Sequence, residues 1–350
     1  MPCYNVMDRT GYDIKSMTIE ELKALMEAAG EKPFRALQLF QWMHKEAVTS
    51  YNEMTNLSKK LRAELEAHYP LTHLTQRALQ VSEEDGTRKY LFGLPDKECV
   101  ETVCMRYHFG VSVCVSSQVG CKMGCKFCAS TLKGCVRSLD ASEMLEQVYA
   151  VMRDINERVS HVVVMGMGEP LDNLENVLRF IDLLTAPEGM NLSERAVTVS
   201  TCGLVREIRA LAGEKRQINL AISLHAATQE KRAALMPVAH RYPLDELMDA
   251  CAEYYDATHR QLTFEYALVK GENDTKEDAA ALAARLKGLN CMVNLIPVNP
   301  VTETGLEPTN KTDVLIFRDR LEKMGIHVTI RREMGRDIDG ACGQLRRRNV

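Results

Sequence analysis

Cys121-Lys122-Met123-Gly124-Cys125-Lys126-Phe127-Cys128 sets three thiols on one glycine-bearing loop, and that loop follows an apolar run at residues 111–115 that reads as a β-strand. Outward from this loop the chain alternates. Apolar runs at 161–165, 196–200, 218–224, 262–268 and 291–297 read as further strands, with helical patterns between them. One helix opens on the cap pair Asp140 and Glu143, and another carries Leu244, Leu247, Met248 and Cys251 on one face. A last helix at 313–323 and a strand at 327–330 follow. Strict βα alternation dictates a parallel sheet, because each helix must carry the chain back to the start of the next strand. The fold class is α/β. Six such units suit an incomplete (β/α) barrel or an open doubly wound sheet, and both place functional residues just beyond strand ends.

Upstream of this region, residues 18–70 hold helical patterns only. Thr18 with Glu21 makes a capping box, Leu22, Leu25 and Met26 form the stripe behind it, and Gly30 closes the helix. Pro33 begins a second helix carrying Phe34, Leu37 and Phe40, and a third runs over about 57–68. A turn at Asp85-Gly86 joins alternating segments at 77–82 and 88–94 into a hairpin. The expected organisation is a helical accessory domain at 1–75, hairpin and linker strands at 76–110, the βα region at 111–335 and a C-terminal segment at 336–350.

Of the 350 residues, 45% are hydrophobic and 26% charged, a globular average that excludes disorder. No run reaches the ~18 apolar residues of a membrane span. The first residues carry Asp8, Arg9, Asp13 and Lys15 where a secretion signal would need an apolar core, so the expected location is the cytoplasm. Twelve cysteines are too few for a disulfide scaffold and many for a cytosolic chain, so some should be chemical. The net charge of −4 argues against a general polyanion binder, but it is uneven. Residues 311–350 hold ten Lys or Arg against six Asp or Glu, net +4, which leaves −8 on residues 1–310. Cations also gather on the N-terminal helices at Lys32, Arg35, Lys45, Lys59, Lys60 and Arg62.

Three thiolates on one loop can converge on a soft metal centre. Structural zinc wants a fourth ligand, usually from a second CxxC pair, and none follows here. A [4Fe-4S] cluster on three cysteines keeps one iron open to an exogenous ligand. The CxxxCxxC spacing after a first strand, with Phe127 before the last cysteine and Gly166-Met-Gly168-Glu169-Pro170 after the second strand, resembles the radical S-adenosylmethionine (SAM) enzymes. The resemblance implies an incomplete (β/α)6 barrel, a [4Fe-4S] cluster on Cys121, Cys125 and Cys128, and SAM as second cofactor.

Two further motifs, Cys114-Val-Ser-Ser-Gln118-Val-Gly-Cys121 and Asp337-Ile-Asp339-Gly-Ala-Cys342-Gly-Gln344-Leu345, are similar to those of the RlmN family, adenine-C2 methyltransferases of 23S rRNA and tRNA. The similarity runs through nearly the whole chain. It implies that Cys342 takes a methyl from one SAM, and that a second SAM yields a 5′-deoxyadenosyl radical that abstracts hydrogen from it. The resulting methylene radical adds to C2, and Cys114 resolves the protein–RNA crosslink by disulfide formation with Cys342. Glu101 matches the family's proton acceptor; by itself, a Glu here reads as the exposed side of an edge strand. Gly168, Glu169, Ser200, Ser223, Leu224, His225 and Asn299 match SAM contacts. The implied partners are 23S rRNA, tRNA and an electron donor such as flavodoxin or ferredoxin, with no membrane. Two positions depart from the family: the loop after Asn299-Pro300 lacks an aromatic and a second proline, and Cys135 stands where a small or apolar residue is usual. Cfr-type enzymes share the chemistry but methylate adenine C8, so the shared motifs leave regiochemistry open. A non-catalytic Fe–S RNA-binding protein or a glycyl-radical activase would have no use for Cys114 and Cys342.

Overall fold

The computed structural model describes residues 13–71, 73–297, 306–338 and Leu345. Asn299, Cys342 and the basic group Arg346 to Arg348 lie outside the described residues.

The chain begins with α1 (Ile19–Ala28), α2 (Phe34–His44) and α3 (Lys59–His68). The Thr18 hydroxyl accepts from the Glu21 N–H at 3.3 Å while the Glu21 carboxylate accepts from the Thr18 N–H at 2.8 Å, the reciprocal cap that the sequence predicts. On α2 the buried face differs from expectation. Ala36, Leu39, Phe40 and Met43 point inward, whereas Phe34 and Leu37 are exposed. Two apolar stripes compete on this helix, and the one ending in the buried His44 faces the rest of the molecule, where His44 Nδ1 lies 2.9 Å from the Tyr149 hydroxyl.

Strands β1 (Thr75–Val81), β2 (Arg88–Gly93) and β3 (Cys99–Tyr107) come next, then β4 (Gly110–Cys114), the short β5 (Gln118–Gly120) and β6 (Cys135–Ser138), and α4 (Ala141–Ile155). After these the chain alternates through β7 (His161–Val164), α5 (Leu174–Thr185), β8 (Val197–Thr201), α6 (Val205–Gly213) and β9 (Asn219–Ser223). Two helices, α7 (Gln229–Leu235) and α8 (Leu244–Thr258), precede β10 (Leu262–Leu268), which is followed by α9 (Lys276–Leu286), β11 (Cys291–Pro297), α10 (Lys311–Lys323) and β12 (His327–Ile330). Strand β4 and strands β7 to β12 are parallel in chain order, so six βα units and a closing strand form the incomplete barrel. The hairpin at Asp85-Gly86 is present, but it belongs to a larger sheet. Strands β1 to β3 extend the barrel antiparallel from β4, and β3 lies between β2 and β4 rather than at an edge.

Register decides which residues meet. Glu101 is opposite Leu91, Val103 opposite Cys114, Cys114 opposite Val163, and Val163 opposite Thr198. Directly paired side chains share a face and alternate residues return to it. Glu101, Cys114 and Ser200 therefore lie on one face, and Ser223 joins them through the Thr198–Asn219 pairing. The opposite face carries Val113, Val162, Val164 and Val199 into the helix-covered core.

The N-terminal helices are tied to α4 by buried polar contacts. Lys15 Nζ meets Glu146 at 2.8 Å with side chains 1% and 2% exposed, and Arg153 also pairs with Glu146. The Ser142 N–H donates to the Ser16 hydroxyl at 3.0 Å.

Candidate active site

The cysteine loop is shaped by glycines and bolted to α7. Gly120 has φ +81°, and a Cβ there would overlap the Gly134 carbonyl oxygen, which accepts from the Cys121 N–H at 3.0 Å. The Cys128 N–H returns to the Cys125 carbonyl at 3.1 Å, and the Lys126 N–H donates to the Leu235 carbonyl at 3.0 Å. Cys121, Cys125 and Cys128 all line one cavity of about 270 Å³. Burial pushes the Cys121 thiol up to about 12 and that of Cys125 higher still. Such thiols ionise when a strong Lewis acid displaces their protons, so the donor set fits a soft, multivalent centre.

The same cavity is lined by Gly168, Glu169, Ser200, Ser223 and His225. Gly166 and Gly168 permit a close approach of backbone to backbone. A Cβ at Gly166 would sit 2.7 Å from the Val115 carbonyl, and one at Gly168, where φ is +104°, would sit 2.6 Å from the Gln118 Cβ. The N–H groups of Ser117 and Gln118 donate to the Met167 carbonyl at 2.9 and 3.2 Å, and the Glu169 N–H donates to Gln118 Oε1 at 2.9 Å. Glu169 is 3% exposed, and its carboxylate accepts from the Cys202 N–H at 2.8 Å and the Leu171 N–H at 3.1 Å. Burial raises its pKa, with those N–H groups opposing, so a cationic ligand arriving in the cavity would stabilise its ionised form. That suits an ammonium group.

His225 is held with φ +54° and its Nδ1 accepts from the Ala267 N–H at 2.9 Å, which assigns the proton to Nε2. Burial, and secondarily Arg232, lowers its pKa to about 3, so it is a neutral donor. Its ring packs edge-on against Phe127 at 4.6 Å between centroids. Leu224 differs from its neighbours: its side chain is in the core, outside the cavity lining, and its N–H donates to the Glu265 carbonyl at 3.1 Å.

Glu265 lines the cavity without having been read from the sequence, and Arg331, which the sequence offers as one of the C-terminal cations for RNA, lines it too. Glu265 is buried, receives the Asn294 amide at 3.0 Å, and is followed by a link from Thr329 to Asn294 at 2.9 Å. Its signal was a lone carboxylate inside an otherwise apolar strand.

Glu101 is 3% exposed and pairs with the fully buried Lys89 at 3.0 Å, contrary to the exposed-edge reading. Cys114 packs with Val103 and Met105 against Met165, a cavity-lining residue, and Met334. The C-terminal stretch is anchored to the β1–β2 turn and to β2 and β3. Asp337 accepts from the Ser82 hydroxyl at 2.6 Å and the Glu83 N–H at 2.7 Å, and Leu345 is buried against Leu91 and Cys99.

Residues 12–70 match the family model for the ribosomal RNA large subunit methyltransferase N-terminal domain, and 115–283 match the radical SAM superfamily. A probable dual-specificity RNA methyltransferase RlmN of Lachnospira eligens is 54% identical over 334 residues, which covers 95% of each chain. One from Clostridium perfringens is 49% identical, covering 96% of each chain. The chain belongs to the RlmN family. The RlmN relatives match over nearly their whole length, and the crystal structure of a radical SAM methyltransferase from Sphaerobacter thermophilus superposes with a TM-score of 0.91 at 42% identity, covering 95% of this chain and 98% of that one. As an RlmN-family member this protein is an enzyme, a radical SAM methyltransferase, and among its described residues no helix is long and apolar enough to cross a membrane.

Proposed function

We propose that the enzyme methylates C2 of adenine in 23S rRNA and tRNA through a methylated Cys342, using two SAM per turnover. The observation that carries this reading is the shared face of Glu101 and Cys114 beside the cavity, with Asp337 fixed to the β1–β2 turn and Leu345 to β2 and β3 on either side of Cys342 in the sequence. Cys121, Cys125 and Cys128 would hold a [4Fe-4S] cluster, and Gly168, Glu169, Ser200, Ser223, His225 and Asn299 would hold SAM, with Leu224 contributing through its backbone. When bound, the cluster supplies the electron that cleaves SAM to a 5′-deoxyadenosyl radical.

The protein's own residues do the rest. C2 of adenine lies between two ring nitrogens, is electron-poor and offers no nucleophile, so a polar methyl transfer has nothing to attack it with. Cys342 thiolate therefore takes the first methyl and presents it as a thioether. Once the 5′-deoxyadenosyl radical has taken a hydrogen atom from that thioether and the methylene radical has added to C2, the adduct must give up one electron, for which the cluster would be the acceptor, and Glu101 accepts the C2 proton. The Cys114 thiolate then attacks the Cys342 sulfur; the sulfur–carbon bond breaks, its electron pair stays with the former methylene carbon, and protonation of that carbon completes the methyl group. The Cys114–Cys342 disulfide is afterwards reduced by thiol exchange. The cations of the N-terminal helices and the C-terminal arginines would meet the RNA phosphates, and a flavodoxin or ferredoxin would supply electrons.

The test is mass spectrometry of adenosines from RNA treated with reconstituted enzyme. 2-Methyladenosine is expected, whereas 8-methyladenosine would replace this reading with the Cfr-type one. Cys114→Ala should still accept a methyl on the protein and accumulate an RNA-linked species, while Cys342→Ala should accept none. The reverse pattern would exchange the two roles.

A further inference from the structure

Arg232 stands on the short helix α7 with its side chain fully buried. Nη2 donates to the Cys202 carbonyl at 2.6 Å and reaches the Ser223 carbonyl at 3.5 Å, while Nε and Nη1 have no hydrogen-bond partner. No carboxylate among the described residues pairs with it. Arginine stays charged in proteins, and a fully buried charge is almost always matched by an opposite one.

Its surroundings lead to the cysteine loop. Cys202 and Ser223 both line the cavity. The Leu235 carbonyl at the end of α7 holds the Lys126 N–H at 3.0 Å, and Pro237, just beyond, lies 3.4 Å from a Cβ built at Gly124. The helix that carries Arg232 is thus the one against which the cysteine loop is seated. Gly203, with φ +99°, leaves room for the guanidinium, since a Cβ there would lie 3.1 Å from Nη2. Burial lowers the Arg232 pKa, and the groups that oppose this are the neighbouring thiols of Cys202, Cys125 and Cys251, of which Cys125 belongs to the cysteine loop.

We propose that Arg232 is a fixed counter-cation for the cysteine-bound cluster, a positioning residue that raises the potential at which the cluster accepts one electron from a low-potential donor. The inference rests on the cluster reading given above. Three thiolates make the site negative, and each added electron makes it more so. A guanidinium held by the Cys202 and Ser223 carbonyls in the buried layer behind the cavity stabilises the reduced form more than the oxidised one. Because the chain itself holds it, this influence is present before SAM or RNA arrives.

The test compares the full-length, anaerobically reconstituted wild type with Arg232→Gln, which keeps an N–H donor but no charge, and Arg232→Lys, which keeps the charge. Iron and sulfide content is measured first, and the midpoint potential is then followed by EPR during a redox titration without SAM. The expected result is a cluster-loaded Arg232→Gln whose reduced-to-oxidised ratio at a fixed potential falls about tenfold, about 59 mV for a one-electron couple, with Arg232→Lys nearer the wild type. A Gln variant that loads no cluster beside a Lys variant with a wild-type midpoint also supports the proposal. A loaded Gln variant with the wild-type midpoint, an equal shift in both variants, or failure of the Lys variant to load overturns it. A wild type with no [4Fe-4S] signal overturns the cluster reading, and this inference with it.

Discussion

Lys89 Nζ and Glu101 Oε2 lie 3.0 Å apart across β2 and β3, with side chains 0% and 3% exposed. Taking one charge from such a pair leaves the other in a low dielectric, while replacing both by apolar groups restores balance. Lys89→Met should therefore cost about 3 kcal/mol in urea unfolding. Adding Glu101→Leu should recover most of that loss although it removes the proposed proton acceptor. A double variant no more stable than Lys89→Met would show that the pair is not the source of the cost.

Loss of any one loop thiol should empty the cluster site. Cys121→Ala, Cys125→Ala and Cys128→Ala are each expected to purify anaerobically without stoichiometric iron and sulfide. Cys135→Ala should retain both, because Cys135 sits on β6 outside the cavity lining. Stoichiometric zinc in an active wild type would contradict this.

Gly168→Ala would force a Cβ to within 2.6 Å of the Gln118 Cβ and 2.8 Å of its backbone nitrogen, at a φ that L-residues avoid. The displaced segment carries Glu169. SAM affinity, measured by equilibrium dialysis on cluster-loaded protein, should fall at least about tenfold, equivalent to a loss of about 1.4 kcal/mol. Iron content should stay near wild type.

His44 provides a pH signature away from the cavity. Burial, then Lys15, lowers its pKa from 6.5 to about 3, with Glu146 opposing. A depressed folded-state pKa means that the unfolded chain binds the proton first. Its contribution is complete above pH 6.5 and is lost as pH falls toward 3. Below about pH 5.5 the slope should approach about 1.4 kcal/mol per pH unit. Asp13, raised to about 6 chiefly by burial, works in the opposite direction, so the comparison must be differential. Unfolding free energies of wild type and His44→Gln between pH 7 and 4.5 should converge as pH falls, and parallel curves would refute the assignment.

Lys59 and Lys60 are exposed at the start of α3, whereas Arg62 is occupied in donating to the Asn52 carbonyl at 2.7 Å. Reversing the two lysines to Glu should weaken RNA binding and flatten its salt dependence by about 0.7 to 0.9 log units per lost phosphate contact. Methylation of Cys342 without RNA should persist. An unchanged salt slope would move the docking surface to the C-terminal arginines.

The parallel strands were legible because each buries at least alternate residues in the helix-covered core and so reads as a short apolar or alternating run. Residues 262–268, 291–297 and 327–330 coincide with β10, β11 and β12. The cavity was legible wherever its residues follow such strands. What escaped depends on long-range pairing. Glu101 reads as an edge residue until β2 and β4 enclose β3, and the buried face of α2 is chosen by what it packs against. Arg232 follows Lys231 in a helix of mixed polarity and looks like a second surface cation. Lys231 does reach outward, to Asp278 at 2.7 Å, while its neighbour turns fully inward. One helical step separates them, and no local pattern records which way each points.

The contacts of Lys15 with Glu146, Ser16 with Ser142 and Arg153 with the Ala47 carbonyl make the N-terminal helices and the barrel a single stiff gauge. On the reading proposed above, an RNA docked on those helices would present its bases at a set span from the cavity. An adenine would then be chosen by how far it stands from the gripped backbone as much as by its chemical identity. Two substrates as different in shape as ribosomal and transfer RNA need share only that span.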